Sequence, residues 1–266
     1  MAWSADGKRV LVTGGSAGIG AALAEGFAAR GAVVGICGRR TDKLAEVLAR
    51  LRAHTPESRS WAVDLADLDG VAAFARQADA ELGGIDVLVN NAGIPKRRRV
   101  QDLTVEVVEQ VMAINYFSPI RLTMALLPGI IERQGHIVNN SSIAARLGPP
   151  GEAAYSASKA AITAWSECMA VDLRDTGVGV HVVNPAVIDT ELFHLPDNDA
   201  AMTEGVEALP TEAMVEPVLR ALDENLFEVY VPEHFAGVTQ HKFADPDGFL
   251  ANTIAYVRAT SSVPPG

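Results

Sequence analysis

Lys8-Arg9-Val10-Leu11-Val12-Thr13-Gly14-Gly15-Ser16-Ala17-Gly18-Ile19-Gly20 passes from a short apolar run through a glycine-rich turn into a helical pattern. Lys8 to Thr13 reads as a strand and Gly18 to Arg30 as the helix that follows it. Working outward, the alternation repeats. Strands are expected at Ala32–Cys37, Ser60–Val63, Asp86–Asn90, His136–Asn140 and Val178–Val183. Helices are expected at Asp42–Arg52, near Leu68–Leu82 and over about Thr104–Glu132, with Pro128 marking a bend or stop. Short strands that are apolar almost throughout are buried on both faces, which requires a parallel sheet covered by helices on each side. The expectation is an α/β fold: a doubly wound parallel sheet over a single domain, residues 1–266.

After Asn184-Pro185 the pattern loosens. Residues 188–211 read as a flap over the substrate, with Leu192, Phe193, Leu195 and Met202 suggesting a moderately apolar ligand and His194 available to enter it. A helix near Thr211–Glu224 and a strand at Glu228–Val231 follow. In the tail, residues 232–266, Phe249, Leu250, Ile254 and Val257 fit a short amphipathic helix.

The 266 residues are 48% hydrophobic, with a mean hydropathy of +0.15 and a net charge of −11. An acidic chain is a poor partner for nucleic acid. No apolar run approaches a membrane span, and the first ten residues lack the apolar segment of a secretory leader. A cytoplasmic protein is therefore expected. Cys37 and Cys168 are far apart and are expected to be buried, reduced and inert. The six histidines form no pattern of metal ligands, so no metal is expected. Trp3, Trp61 and Trp165 read as packing groups. Lys96-Arg97-Arg98-Arg99 can steer an anion, but on an acidic protein it reads first as a solvated loop.

Two stretches carry chemistry. Gly14, Gly18 and Gly20 allow a tight turn, a close approach to a pyrophosphate and packing of the first helix on the sheet, while the free amides at that helix start attract phosphate. Where an NAD enzyme places an acid against the ribose, the second strand instead ends Cys37-Gly38-Arg39-Arg40. Arginine there suits a 2′-phosphate, so NADP(H) is favoured over NAD(H). Further on, Tyr155 and Lys159 are four residues apart on a helix and share one face. An ammonium beside a phenol favours the phenolate, which makes Tyr155 a candidate proton donor or acceptor.

With these motifs the chain resembles the short-chain dehydrogenase/reductase family from about residue 8 to 190. The glycine loop, Asn90-Asn91-Ala92-Gly93, Asn115, Ser142 and the Tyr155/Lys159 pair stand in the family's order and spacing. The resemblance implies a Rossmann-type oxidoreductase moving hydride between a nicotinamide cofactor and an alcohol or carbonyl. It implies that Tyr155 passes the proton and that Ser142 holds the substrate oxygen. Lys159 would lower the tyrosine pKa and hold the nicotinamide ribose, and Asn115 would keep a water in a proton wire. Taken singly, Ser142 and Asn115 also read as local backbone caps. By position it places Ser16 and Ile19 in the phosphate loop and Arg39 and Arg40 at the adenosine ribose. Asp64 and Leu65 fall at adenine, Asn91 after the fourth strand, and Ile188 and Thr190 near the carboxamide. It also implies a homodimer or homotetramer built through the long helices. Two departures stand out: Pro185-Ala186 replaces Pro-Gly, so the turn at alanine is in question, and the tail after Val231 is long. The alternatives are an NAD(H)-linked alcohol dehydrogenase, a non-catalytic NADP(H)-binding sensor, and a sugar-nucleotide epimerase.

Overall fold

In a computed structural model, residues 3–194, 198–199 and 207–260 are described, the side chains of Phe193, His194 and Thr260 excepted. Seven parallel strands form one sheet: β1 Arg9–Thr13, β2 Val33–Gly38, β3 Arg59–Ala62, β4 Val87–Asn90, β5 His136–Asn140, β6 Gly179–Pro185 and β7 Glu228–Val231. Their spatial order is β3-β2-β1-β4-β5-β6-β7. β1 pairs with β2 on one side, Val10 opposite Val34, and with β4 on the other, Val10 opposite Val87. The chain direction across the sheet reverses between β1 and β4, and a crevice opens at their carboxyl ends.

The helices are α1 Gly18–Ala28, α2 Thr41–Arg52, α3 Leu68–Leu82, α4 Val105–Met112, α5 Ser118–Arg133, α6 Ala144–Leu147, α7 Ala153–Asp172, α8 Val215–Asp223, α9 Phe235–Ala244 and α10 Pro246–Thr260. Successive strand residues point to opposite faces, and this divides the apolar residues into two cores. Val10, Val12, Val34, Ile36, Val87 and Val89 pack with Phe27 of α1, Leu44 and Leu51 of α2, and Val218 of α8. Leu11, Cys37, Leu88 and Ile137 pack on the other face with Phe74 of α3, Leu122 and Ile130 of α5, and Met169 of α7. Trp61 meets Phe74 edge to face at 5.9 Å, a packing contact.

Several expectations are corrected. The helix expected over Thr104–Glu132 is two helices joined by a π-helical turn, Ala113–Phe117. Pro128 neither stops nor divides α5, which runs through it to Arg133. The carbonyl that proline leaves without a donor belongs to Met124, an exposed residue. Cys37 is buried, and burial pushes its thiol up to about 12. Cys168 is exposed rather than buried. The tail forms two helices, not one. Ala186 avoids positive φ, and its N–H donates to the Val231 carbonyl at 2.8 Å, so the strand pairing simply continues past Pro185. Leu195 and Met202 lie outside the described residues, as do the side chains of Phe193 and His194.

At the opposite end of the sheet from the crevice, His136 Nδ1 lies 2.9 Å from His181 Nε2, and His181 Nδ1 lies 2.7 Å from the Leu226 carbonyl. A carbonyl only accepts, so His181 carries its proton on Nδ1 and takes the His136 proton at Nε2. Both rings are neutral. Burial, then the neighbouring His181 and Lys8, hold His136 down at about 4. The unfolded chain binds the proton near 6.5, so this contribution is complete above about pH 6.5 and is lost as pH falls toward 4. We expect thermal unfolding followed by circular dichroism to show a loss of roughly 2–3 kcal/mol between neutral pH and about 4. A His136→Phe variant should lose less.

Candidate active site

Three strand ends are laced together beneath the crevice. Thr13 Oγ1, at the end of β1, accepts from the Asn91 N–H at 2.9 Å and the Ala92 N–H at 3.0 Å. Asn91 Nδ2 donates to the Thr13 carbonyl at 2.9 Å, and Asn140 Nδ2 donates to Asn91 Oδ1 at 2.9 Å. Asn91 thus joins β1, β4 and β5, and it sits at the rim of the cleft. Above it sits the glycine loop. Gly14 and Gly18 take φ of +68° and +56°, which side chains other than glycine rarely adopt. A Cβ on Gly20 would stand 2.4 Å from the Gly14 carbonyl.

A cleft of about 660 Å³ runs over this platform. Gly14, Ser16, Gly18, Ile19, Gly20, Arg39, Arg40, Asp64, Leu65, Asn91, Ile188 and Thr190 all line it, with Ser142, Tyr155 and Lys159 at the far end. Asn115 does not. Its π-helical turn points the side chain behind the wall, where Nδ2 donates to the Ile94 carbonyl and to Ser158 Oγ, both at 3.0 Å, and Oδ1 accepts from the Ile94 N–H at 2.9 Å. Both amide hydrogens are consumed in joining the turn after β4 to α7. Asn115 therefore positions, and Gly93 lies between it and the lysine: a Cβ there would meet Asn115 Oδ1 at 3.2 Å and Lys159 Nζ at 3.5 Å.

α7 presents Tyr155 and Lys159 on its inner face as their spacing requires. Lys159 is 4% exposed, and its Nζ donates to the Asn140 carbonyl at 2.6 Å and lies 5.7 Å from the centre of the Tyr155 ring. Burial lowers the ammonium to about 8. Ser142 Oγ accepts from the Ala144 N–H at 3.1 Å, so it caps α6 locally as well as facing the cleft. The expected ease of ionising Tyr155 is reversed. Burial first and the Glu152 carboxylate second push its phenol well above the ordinary value, while a hydrogen bond with Ser142 and the charge of Arg97 pull it down less strongly. Desolvation opposes a phenolate more than a lysine turned toward a carbonyl favours it.

At the end of the cleft beside β2, Arg40 Nη2 donates to Ser16 Oγ at 3.2 Å, and Arg40 Nη1 meets Glu191 Oε2 at 2.5 Å. Lys43, one turn further along α2, clasps the other oxygen of the same carboxylate. Asp64 Oδ1 accepts from the Ala66 N–H at 2.9 Å and shapes the turn after β3, and Leu65 is buried beside it. Sequence reasoning missed Lys43 and Glu191. Arg40 and Lys43 at helical spacing were a usable signal; nothing local could attach Glu191 to them.

The other end of the cleft is walled by Ile94, Pro95, Leu147, Pro149, Leu192 and Phe235. Phe235 comes from α9, so the tail closes the wall. The basic run is not solvated throughout: Arg99 is exposed, but Arg97 is 4% exposed, lines the cleft, and donates from Nε to the Asp199 carbonyl at 2.9 Å. Arg98 pairs with Asp199. Glu152, the residue before α7, lines the cleft opposite, and its burial pushes its carboxyl up. No cluster of three or more His, Cys, Asp or Glu fit to hold a metal occurs among the described residues. Among those residues, no helix is long and apolar enough to cross a membrane.

Residues 8–200 match the sequence model described as short chain dehydrogenase. The chain is 41% identical over 188 residues to "Dehydrogenase/reductase SDR family member 7B" of Mus musculus, an alignment covering 69% of this chain and 58% of that one. It is 34% identical over 242 residues to the protein of the same name in Xenopus tropicalis, covering 84% and 76%. Among solved structures, a short-chain dehydrogenase from Sphingobium yanoikuyae in complex with NADPH superposes with a TM-score of 0.77 at 28% identity, covering 96% of this chain and 98% of that one. A short chain dehydrogenase/reductase from Burkholderia phymatum in complex with NAD gives a TM-score of 0.83 at 23% identity over 92% and 96%, a likeness of fold.

Proposed function

This chain belongs to the short-chain dehydrogenase/reductase family, and on that premise we propose that it is an NADP(H)-dependent oxidoreductase interconverting an alcohol and a ketone or aldehyde. The observation that carries the reading is one continuous cleft that joins the glycine loop, Ser16 and Arg40 to Tyr155, Lys159 and Ser142. The residues present fit a phosphorylated dinucleotide. The loop leaves no room for a Cβ at Gly20, and Arg40 and Lys43 already hold an anion, the Glu191 carboxylate. Gly14, Gly18, Gly20, Ser16 and Ile19 would hold the pyrophosphate, and Arg39 and Arg40 the 2′-phosphate. Asp64, Leu65 and Asn91 would flank the adenosine, with Ile188 and Thr190 near the nicotinamide. The bound nicotinamide supplies or accepts the hydride.

The chain's own groups handle the oxygen. Ser142 orients the carbonyl by a hydrogen bond. Tyr155, kept protonated by its burial, delivers the proton in reduction and takes it back in oxidation. Lys159 holds the ribose and supplies positive potential, and Asn115 fixes the turn and helix that frame them. The apolar wall of Ile94, Leu147, Leu192 and Phe235 favours a moderately apolar substrate. Exposed Val105, Phe117 and Met124 on and between α4 and α5 support assembly into a homo-oligomer through those helices.

The test is absorbance-monitored oxidation of NADPH and of NADH against a panel of ketones and aldehydes. Turnover with NADPH preferred is the expected result, and an Arg39→Asp variant should shift the preference toward NADH. Preference for NADH in the unaltered protein supports the NAD(H)-linked alternative. That alternative has one observation in its favour: Arg40 and Lys43 are already paired with Glu191. NADPH binding without turnover of any carbonyl would instead indicate a sensor.

A further inference from the structure

Arg40 and Lys43 come from the start of α2, Ser16 from the glycine loop, and Glu191 from the segment that follows β6. Two cations that could grip a phosphate, Arg40 and Lys43, therefore converge on a carboxylate contributed by a part of the chain about 150 residues away in sequence, while Ser16 Oγ accepts from Arg40 beside them. Both carboxylate oxygens are engaged, one by Arg40 and one by Lys43. The arrangement is a small anion site closed by an internal anion. Arg39, its neighbour, lines the cleft with no ion pair among the described residues.

We infer that Glu191 is a specificity-determining residue: its carboxylate occupies the seat of the cofactor's 2′-phosphate and competes with it. This rests on the proposed reading of Arg40 as part of that seat. A 2′-phosphate must displace the carboxylate before Arg40 and Lys43 can hold it. A ribose with a free 2′-hydroxyl leaves the pairing in place. Glu191 therefore taxes NADP(H) and spares NAD(H), which narrows the discrimination that the arginines create. The two cations hold the Glu191 carboxyl down at about 2, so the competitor is charged at every working pH. The pairs are half exposed, so the competition is modest and weakens as salt rises.

Isothermal titration of NADPH, NADH, 2′,5′-ADP and 5′-AMP into the unaltered protein, Glu191→Gln and Arg40→Ala tests both layers. Glu191→Gln should bind NADPH and 2′,5′-ADP roughly three- to tenfold more tightly. NADH and 5′-AMP should change by less than about twofold, and the gain should shrink at high salt. Arg40→Ala should weaken NADPH and 2′,5′-ADP by about tenfold or more while sparing NADH. If Arg40→Ala behaves so but Glu191→Gln leaves the NADPH-to-NADH ratio unchanged, the competition is refuted and the phosphate seat stands. If Arg40→Ala leaves the ratio unchanged, the seat and the competition fall together.

Discussion

Tyr155→Phe should lower turnover about 10²–10⁴-fold while leaving the fold intact and the cofactor dissociation constant within about tenfold. The substitution removes one hydroxyl and keeps the ring that lines the cleft. What is lost is the group proposed to move the proton, together with its hydrogen bond to Ser142. The same phenol sets a pH dependence. Because burial raises its pKa, the proton-donating form is complete throughout the neutral range, and reduction should be flat there. The first alkaline limb should belong to Lys159, whose ammonium is lowered to about 8. Above that pH the lysine loses its charge, and reductive kcat/KM should decline. Oxidation needs the phenolate and should rise with pH instead. Steady-state assays in both directions check these signs. A Tyr155→Phe protein with undiminished turnover would remove the tyrosine from the mechanism.

Gly20→Ala should weaken NADPH binding by about tenfold or more and destabilise the protein by roughly 1–3 kcal/mol. The new Cβ would meet the Gly14 carbonyl at 2.4 Å and Asn91 Nδ2 at 2.5 Å. Neither neighbour can yield. The carbonyl belongs to a backbone at positive φ, and the Asn91 amide is bonded to Thr13 and Asn140. The first turn of α1 must therefore shift, and the amides proposed to hold the pyrophosphate shift with it. Gly237→Ala is the control. It lies in α9 with nothing within 4 Å of the added Cβ, and alanine's helix propensity should raise stability by up to about 1 kcal/mol. Calorimetric titration and thermal melts of both variants separate a phosphate-loop effect from a general cost of filling glycine positions.

Much of the fold was readable because its signals are local. Val10, Leu11 and Val12 are all apolar, which says that both faces of β1 are covered, and the two cores receive them alternately. The long helical stretch after β4 was readable as helix, but its π-helical turn was not. That turn depends on Asn115 finding Ile94 and Ser158, which are remote in sequence. Pro128 misled for a related reason: the carbonyl it leaves without a donor belongs to Met124, which lies on the exposed side of a helix that runs on to Arg133. The exposure of Cys168 and the burial of Arg97 depend on which face of an element its neighbours cover, and residue type alone does not say.

The residues by themselves determined the strand-turn-helix repeat, the glycine turn and the Tyr155/Lys159 pair, since each is written in spacings of a few residues and governed by helix and strand geometry. The tertiary structure decided which charges act on those groups. Glu191 reaches Arg40 and Lys43 across the cleft, Asn115 bonds its amide behind the wall, and the surrounding protein partly buries Tyr155 beside the Glu152 carboxylate. Coulomb forces and desolvation depend on distance through space, and only the folded chain sets those distances.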